Sequence, residues 1–328
     1  MAHEMRSVRL FAGAAFFLLL DIVAGIQPAH AWGCKGHQTV ALIAERHLTP
    51  EARQLVEKLL EENPVDPLVK RYCGSAIHDL LADGSTWPDD VRNERKNGPW
   101  HYIDIPRGAP RHPLEEYCGA QGCVTKAIAE QWAVLKDSHA EPRKRAEALR
   151  YVVHFVADLH MPLHASNNND LGGNCVPVHY LRRRPRQTHD SFSPNLHAIW
   201  DTAILERDME GADPAEFADY LEQSFSSELK QWQKAGIHIE DWTWESHDLA
   251  ESVVYGELKP QVPVEPPVSV NSCADDNHIG ERLFQMQLTA CQVYQDAAAA
   301  VVEKRLAQAG VRLAMILNDA AGSAVVAN

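Results

Sequence analysis

Two histidine–aspartate pairs, each four residues apart and each set in apolar sequence, constrain this chain more than any other feature. The first is His154 and Asp158, within His154-Phe-Val-Ala-Asp158-Leu-His160-Met-Pro162-Leu-His164. The second is His197 and Asp201, within Asn195-Leu-His-Ala-Ile-Trp-Asp. Residues at i and i+4 share one face of a helix. The first pair flanks an apolar stripe of Leu149, Val152, Val153 and Val156, so folding carries it toward the interior. A buried carboxylate without a partner is costly. One such pair alone reads equally well as a hydrogen-bonded surface pair. Two of them in apolar surroundings predict imidazole–carboxylate platforms for a transition metal. Pro162 ends the helix and turns the chain, which aims His164 back toward the same face. The 17 histidines of the 328-residue sequence point the same way.

Further donors precede these pairs. Trp87-Pro-Asp89-Asp90-Val-Arg92 reads as a turn with two acids and a base, and Pro99-Trp-His101-Tyr102-Ile-Asp104 sets a His and an Asp among aromatics. Taken singly, each fits a solvated turn or a structural hydrogen bond as well. At the other end, Arg6 and Arg9 precede an apolar run from Leu10 to Leu20 and a small-x-small site at Ala29-His30-Ala31. This is the order of a secretory signal, with an uncleaved anchor as the alternative. Residues 1–31 are therefore expected to be removed and 32–328 to form one domain in the periplasm or outside the cell. Cleavage before Trp32 frees an α-amine that, with its own carbonyl and His37, can chelate a metal. The leader carries two acids and two bases, so the mature chain keeps the net charge of −14.

The periodicity is mostly helical. Thr49-Pro50-Glu51 supplies an N-cap, a proline in the first turn and an acid beside it, and predicts a helix to about Asn63. Helices are also expected from Thr39 to His47, Val124 to His139, Pro142 to His160, Asn195 to Arg207, Pro214 to Lys234 and Gly280 to Gln308. Trp100 to Ile105 and Val176 to Leu181 alternate and predict short extended pieces. The proline-rich 258–270 stretch reads as a loop within one all-α domain that ends near Asn318. Export permits disulfides. Cys118-Gly-Ala-Gln-Gly-Cys123 is a natural closed loop, a zinc clip being the weaker alternative. The other five cysteines are odd in number, so at least one stays free or pairs between chains.

Composition excludes several classes. With 45% hydrophobic residues the chain is not intrinsically disordered. Its acidity argues against a duplex-DNA binder that works through basic patches, but not against an enzyme whose metal ions supply the positive charge.

Taken together, Trp-Gly-x-x-Gly-His at 32–37, Trp-x-Asp at 87–89, His-Tyr-Ile-Asp at 101–104, the set at 154, 158 and 164, and Asn-Leu-His-x-x-Trp-Asp at 195–201 resemble the zinc-dependent single-strand nucleases of the S1/P1 type. The likeness extends from Trp32 to Asn318. It implies a helical fold shared with phospholipase C and a cleft with three zinc ions. Asp89, His101, His154 and Asp158 would hold one ion. Trp32, through amine and carbonyl, with His37 and the other oxygen of Asp158, would hold a second. His164, His197 and Asp201 would hold the third. Asp104 would orient the nucleophile and Arg92 would add positive charge at the phosphorus. The implied substrates are single-stranded DNA, RNA and 3′-nucleotides, and the products carry 5′-phosphates. Tyr102 would stack on a base, with Gly173, Asn174 and the Cys118–Cys123 loop lining its pocket; Tyr102 also fits as a core aromatic supporting His101. The basic run Arg182-Arg-Arg-Pro-Arg186 departs from the fungal pattern. It fits a solvated loop or an electrostatic guide for nucleic acid.

Two other functions compete. A zinc-dependent phospholipase C has a similar three-zinc site, but usually a longer step from the terminal Trp to the first His and Glu in place of Asp201. A non-catalytic periplasmic zinc-binding protein would explain the His/Asp clusters but not Asp104 and Arg92 beside them. No partner protein is implied.

Overall fold

Pro142 opens the central helix, Pro142–Leu159, in which the residues from Ala148 onward are all buried. Apolar side chains on every side make this helix the axis around which the others pack. In the computed structural model the chain is described at residues 32–74, 77–188, 191–266, 270, 272–274 and 278–325. The expected leader, 1–31, lies outside the described residues.

The Val124–Lys136 helix lies alongside the central one, and Cys34–Arg46 and Gln292–Val325 pack together across the core. At that crossing Gly310 is needed for its size, since a β-carbon there would come within 2.5 Å of Ile43. Thr49 caps the Pro50–Glu62 helix by accepting from the Ala52 amide at 3.2 Å, as its sequence predicts. The architecture is all-α. The strands described are two-residue pieces, His179–Tyr180 parallel to Thr289–Ala290 and Arg186–Gln187 antiparallel to Phe192–Ser193.

The differences from the sequence expectations are local. The first helix begins at Cys34 rather than Thr39. The expected 214–234 helix breaks at Phe225 into Pro214–Ser224 and Ser226–Ala235. The expected 280–308 helix is a short Ile279–Gln285 helix, a strand and the start of the long C-terminal helix, which runs past Asn318 to Val325. Of the extended piece expected at Trp100 to Ile105, the first two residues instead close a 3-10 turn over Gly98–His101. The Ile239–Leu249 helix, continued as a π-helix over Ala250–Tyr255, was not anticipated; its early residues are too polar to show a clean period. No helix among the described residues is long and apolar enough to cross a membrane.

Three disulfides brace the frame: Cys34–Cys73, Cys118–Cys123 and Cys175–Cys273. Cys291 is free and exposed.

Candidate metal centre and its cleft

The central helix presents His154 and Asp158 side by side, His154 Nε2 lying 3.3 Å from Asp158 Oδ2. The 3-10 turn at Gly98–His101 brings His101 Nδ1 to 3.0 Å from both groups. The short Trp87–Asp90 helix adds Asp89, whose Oδ1 is 3.6 Å from His101 Nδ1 and 3.7 Å from His154 Nε2. From the first helix, His37 stacks on His154 with ring centres 4.0 Å apart and puts Nε2 3.4 Å from Asp158 Oδ1. Asp158 thus turns one oxygen toward His101 and His154 and the other toward His37. These five residues form one contiguous buried group.

A second group lies beside it. Pro162 starts a 3-10 turn that carries His164 back over the helix end, as its position in the sequence predicts. Asn195 caps the short Leu196–Ala198 helix, and a π-helix over Ile199–Ala203 follows it. His197 Nε2 lies 3.2 Å from Asp201 Oδ2, and one donor atom each of His164, His197 and Asp201 falls within 4.8 Å of the others.

Backbone carbonyls fix the outward nitrogens. Nδ1 of His154 donates to Ser85 at 2.7 Å, of His164 to His101 at 2.6 Å, and of His197 to Gly172 at 2.6 Å. Each leaves Nε2 facing the cleft, where it can turn its lone pair on an ion once unprotonated, the arrangement a metal-ligating imidazole requires. Gly172 has φ +59°, and a β-carbon there would meet the Leu163 carbonyl at 2.9 Å. Trp32 is wholly buried and donates its indole N–H to Ala157, one residue before Asp158, while the Gly33 amide donates to Asp201 at 2.7 Å. The expected mature terminus therefore bridges the two groups.

The electrostatics are those of a site built for cations. Burial pushes His37 and His164 down to about 3. Burial also opposes charge on His154, but Asp158 and Asp89 overcome it and lift that imidazole to about 9. Burial likewise works against ionised Asp158, yet the adjoining His154 and His101 hold it well below its ordinary value. Among the described residues, both ring nitrogens of His37, Asp158 Oδ1 and His197 Nε2 are buried and make no hydrogen bond, although His37 Nε2 lies 3.4 Å from Asp158 Oδ1 and His197 Nε2 lies 3.2 Å from Asp201 Oδ2. Buried polar atoms rarely stay unsatisfied, and nitrogen and carboxylate donors with such orphans fit zinc-like ions.

Next to the second group opens a cavity of about 270 Å³, lined by Arg92, Tyr102, Asp104, Leu163, His164, Leu171, Gly172, Asn174 and His197. It brings together Arg92, Tyr102, Asp104 and Asn174, which sequence reasoning singled out separately. Tyr102 is half-buried. Asp104 accepts from Asn167 Nδ2 at 2.9 Å, and desolvation raises its carboxyl. Two expected members stand elsewhere. Gly173 lies behind the wall, where its carbonyl accepts from the His197 amide at 3.3 Å. The Cys118–Cys123 loop borders a different hollow, though its neighbour Val124 donates to the Tyr102 carbonyl at 2.9 Å. Sequence reasoning missed Leu163, Leu171 and Gly172, which carry no chemical signature, and Asn167. It also missed Tyr72, whose phenol is raised by burial and by the nearby carboxylates of Asp89, Asp201 and Glu206.

The sequence matches the S1/P1 nuclease family over residues 32–322. It is 27% identical over 310 residues to nuclease P1 of Penicillium citrinum, covering 90% of this chain and 99% of that protein. It is 28% identical over 325 residues to endonuclease 4 of Arabidopsis thaliana, covering 92% and 93%. With nuclease S1 of Aspergillus oryzae it shares 26% over 307 residues, covering 89% and 92%. The matched span starts at Trp32 and contains every residue of both buried groups, and the chain belongs to the S1/P1 nuclease family.

Proposed function

We propose that this chain is a metal-dependent nuclease that hydrolyses single-stranded DNA and RNA to 5′-phosphate products, and 3′-nucleotides as well, with three zinc ions at the ligand sets named above. The observation that carries this is the adjacency of two buried donor groups to a cavity that holds an aromatic ring, an arginine and a carboxylate. Bound there, zinc supplies Lewis acidity toward a phosphate oxygen and a water made nucleophilic near neutral pH.

The chain's own residues do the rest. Asp104, at the cavity's open face, orients the attacking water. Arg92 presents its guanidinium to the phosphoryl oxygens as charge builds on them. Water adds to phosphorus, the bond to the 3′-oxygen breaks, and that oxygen takes a proton to leave as a hydroxyl. Tyr102 and Asn174 hold the base, the ring by stacking and the amide by hydrogen bonding. Stacking needs an unpaired face, which favours single strands.

Removal of residues 1–31 and export go with this proposal, since the family match begins at Trp32 and three disulfides suit an oxidising compartment. Phospholipase C and a purely zinc-binding role fit less well, because the relatives named above are nucleases along almost their whole length. The test is purified mature chain assayed on single-stranded DNA, RNA, matched duplex, a 3′-nucleotide and phosphatidylcholine, with and without chelator. Chelator-sensitive cleavage of the single strands with 5′-phosphate ends supports the proposal. Turnover of phosphatidylcholine alone, or of nothing, refutes it.

A further inference from the structure

The arginine run at 182–186 is unused by this mechanism, and its placement gives it a role. Tyr180 and Arg183 close a tight turn by reciprocal backbone bonds of 2.9 and 3.0 Å, and Leu181 ties the turn to Ala290. Pro185 is buried, whereas Arg182, Arg183, Arg184 and Arg186 are all exposed. Arg186 then pairs with Ser193 in a short antiparallel ladder. The run is thus a fixed rim on the surface rather than a loose loop.

Two hollows meet on this rim. One, of about 750 Å³, lies between the turn at Tyr180–Arg183 and the helix bearing Ala203, Glu206 and Arg207. The other, of about 720 Å³, is lined by Arg182, Arg183, Arg184, Arg186, Gln187, Thr188, Ser193 and Pro194, with no carboxylate among them. They share Arg182 and Arg183, so they form one continuous groove. Among the described residues no carboxylate forms an ion pair with the four arginines of the rim. On a chain of net charge −14, such a concentration of open guanidiniums is a local reversal of sign.

The groove is coupled to the cleft at both ends. The strand Phe192–Ser193 leads directly to Asn195 and His197, and Ser191 Oγ donates to the Asn174 carbonyl at 2.8 Å, at the cavity wall. Glu206 and Arg207 follow Asp201 along the same helix, about 8 Å on by helical rise. Guanidiniums spaced along a groove bind successive phosphates of a flexible backbone without regard to sequence.

We propose that Arg182, Arg183, Arg184, Arg186 and Arg207 form a track for the phosphate backbone of a single strand, holding nucleotides beyond the one in the cleft. The track rests on the nuclease proposal above and sets preference for long strands over short ones. It also lets an acidic enzyme capture a polyanion that the rest of its surface repels.

The test compares holoenzyme with a variant carrying Arg182→Ala, Arg183→Ala, Arg184→Ala and Arg186→Ala. Melting and zinc content are read first; these side chains are exposed, and both stay unchanged. Hydrolysis of a dinucleotide stays at the parental rate, because its one phosphate occupies the cleft. Binding of a fluorescent phosphorothioate oligothymidylate, read by anisotropy at low salt, weakens by tenfold or more. Its log Kd against log salt flattens by about 0.7 for each phosphate that an arginine no longer neutralises. KM for long single-stranded DNA rises in step while kcat holds. If long-strand KM, affinity and salt slope all match the parent, the track is refuted. It is equally refuted if the variant loses only binding to anionic phosphatidylglycerol vesicles, which would make the rim a membrane-binding surface. Should the parent cleave neither the dinucleotide nor long single-stranded DNA, the nuclease proposal fails instead, and the oligonucleotide affinity still decides the fate of the track.

Discussion

Asp158→Asn keeps the shape of the side chain at the centre of the first donor group and removes its charge. Its two oxygens serve three imidazoles, at 3.0 Å for His101, 3.3 Å for His154 and 3.4 Å for His37. In metal-stripped protein His154 is lifted from 6.5 to about 9 by Asp158 and Asp89 against the pull of burial. At about 1.4 kcal/mol per pH unit, that lift is worth on the order of 3 kcal/mol. Because Asp89 shares it, Asp158→Asn should cost the stripped protein on the order of 2 kcal/mol near pH 6, or about 3 °C in melting temperature for a chain of this length. The pH dependence has a fixed sign. The raised imidazole contributes fully below 6.5, and its contribution is lost as pH rises through about 9. The depressed carboxylate contributes above its ordinary 3.8 and loses its effect as pH falls. The gap between parent and variant is therefore widest between about pH 4 and 6.5 and narrows toward pH 9. Melting by circular dichroism across that range checks it. Equal melting at pH 6, or a gap that widens toward pH 9, would refute the reasoning. With zinc restored, the variant should retain only the ion at His164, His197 and Asp201; a full complement would show that Asp158 is not shared.

Three further outcomes follow from the same geometry. Asp104→Asn should keep its zinc and its melting temperature while losing about 10²–10⁴ in single-strand cleavage; loss of zinc would move Asp104 into the ligand set. Tyr102→Ala should slow single-strand cleavage by one to two decades, at about 1–3 kcal/mol per stacked base, with zinc intact and Tyr102→Phe mild. Loss of zinc or of thermal stability in Tyr102→Ala would instead mark a core aromatic supporting His101. Stripped parent protein should lose stability as pH falls below 6.5, because His37 and His164 stay neutral in the fold down to about 3 while the unfolded chain takes up protons. The slope is about 1.4 kcal/mol per pH unit for each histidine, and zinc, which also requires these imidazoles unprotonated, should raise the melting temperature without abolishing the slope. A melting series without that slope counts against buried neutral imidazoles.

The donors were legible because their chemistry is rare in apolar sequence. His154 and Asp158 announce themselves by spacing, Pro162 explains how His164 returns, and Thr49-Pro50 marks a helix start that the structure keeps. The cavity was legible only in its polar members. Leu163, Leu171 and Gly172 resemble ordinary core and turn residues until the fold sets them beside Tyr102. Gly173 was assigned to that pocket, but the structure gives it the task of anchoring His197. Helix boundaries were least legible where tertiary packing overrides local pattern, as at the break at Phe225 and in the 239–249 helix. The latter keeps its place partly through Ser246 Oγ, which donates to the Leu159 carbonyl at 2.5 Å. Of the five cysteines left unassigned by sequence, four find their partners only once the loop ends are brought together, and Cys291 stays free.

The most direct test of the central claim is anomalous diffraction at the zinc edge from crystals of the mature chain. Three peaks are expected: one among Asp89, His101, His154 and Asp158, a second at Trp32, His37 and the other oxygen of Asp158, and a third among His164, His197 and Asp201. Anomalous density away from these residues, or none in protein that still cleaves single strands, would contradict the claim.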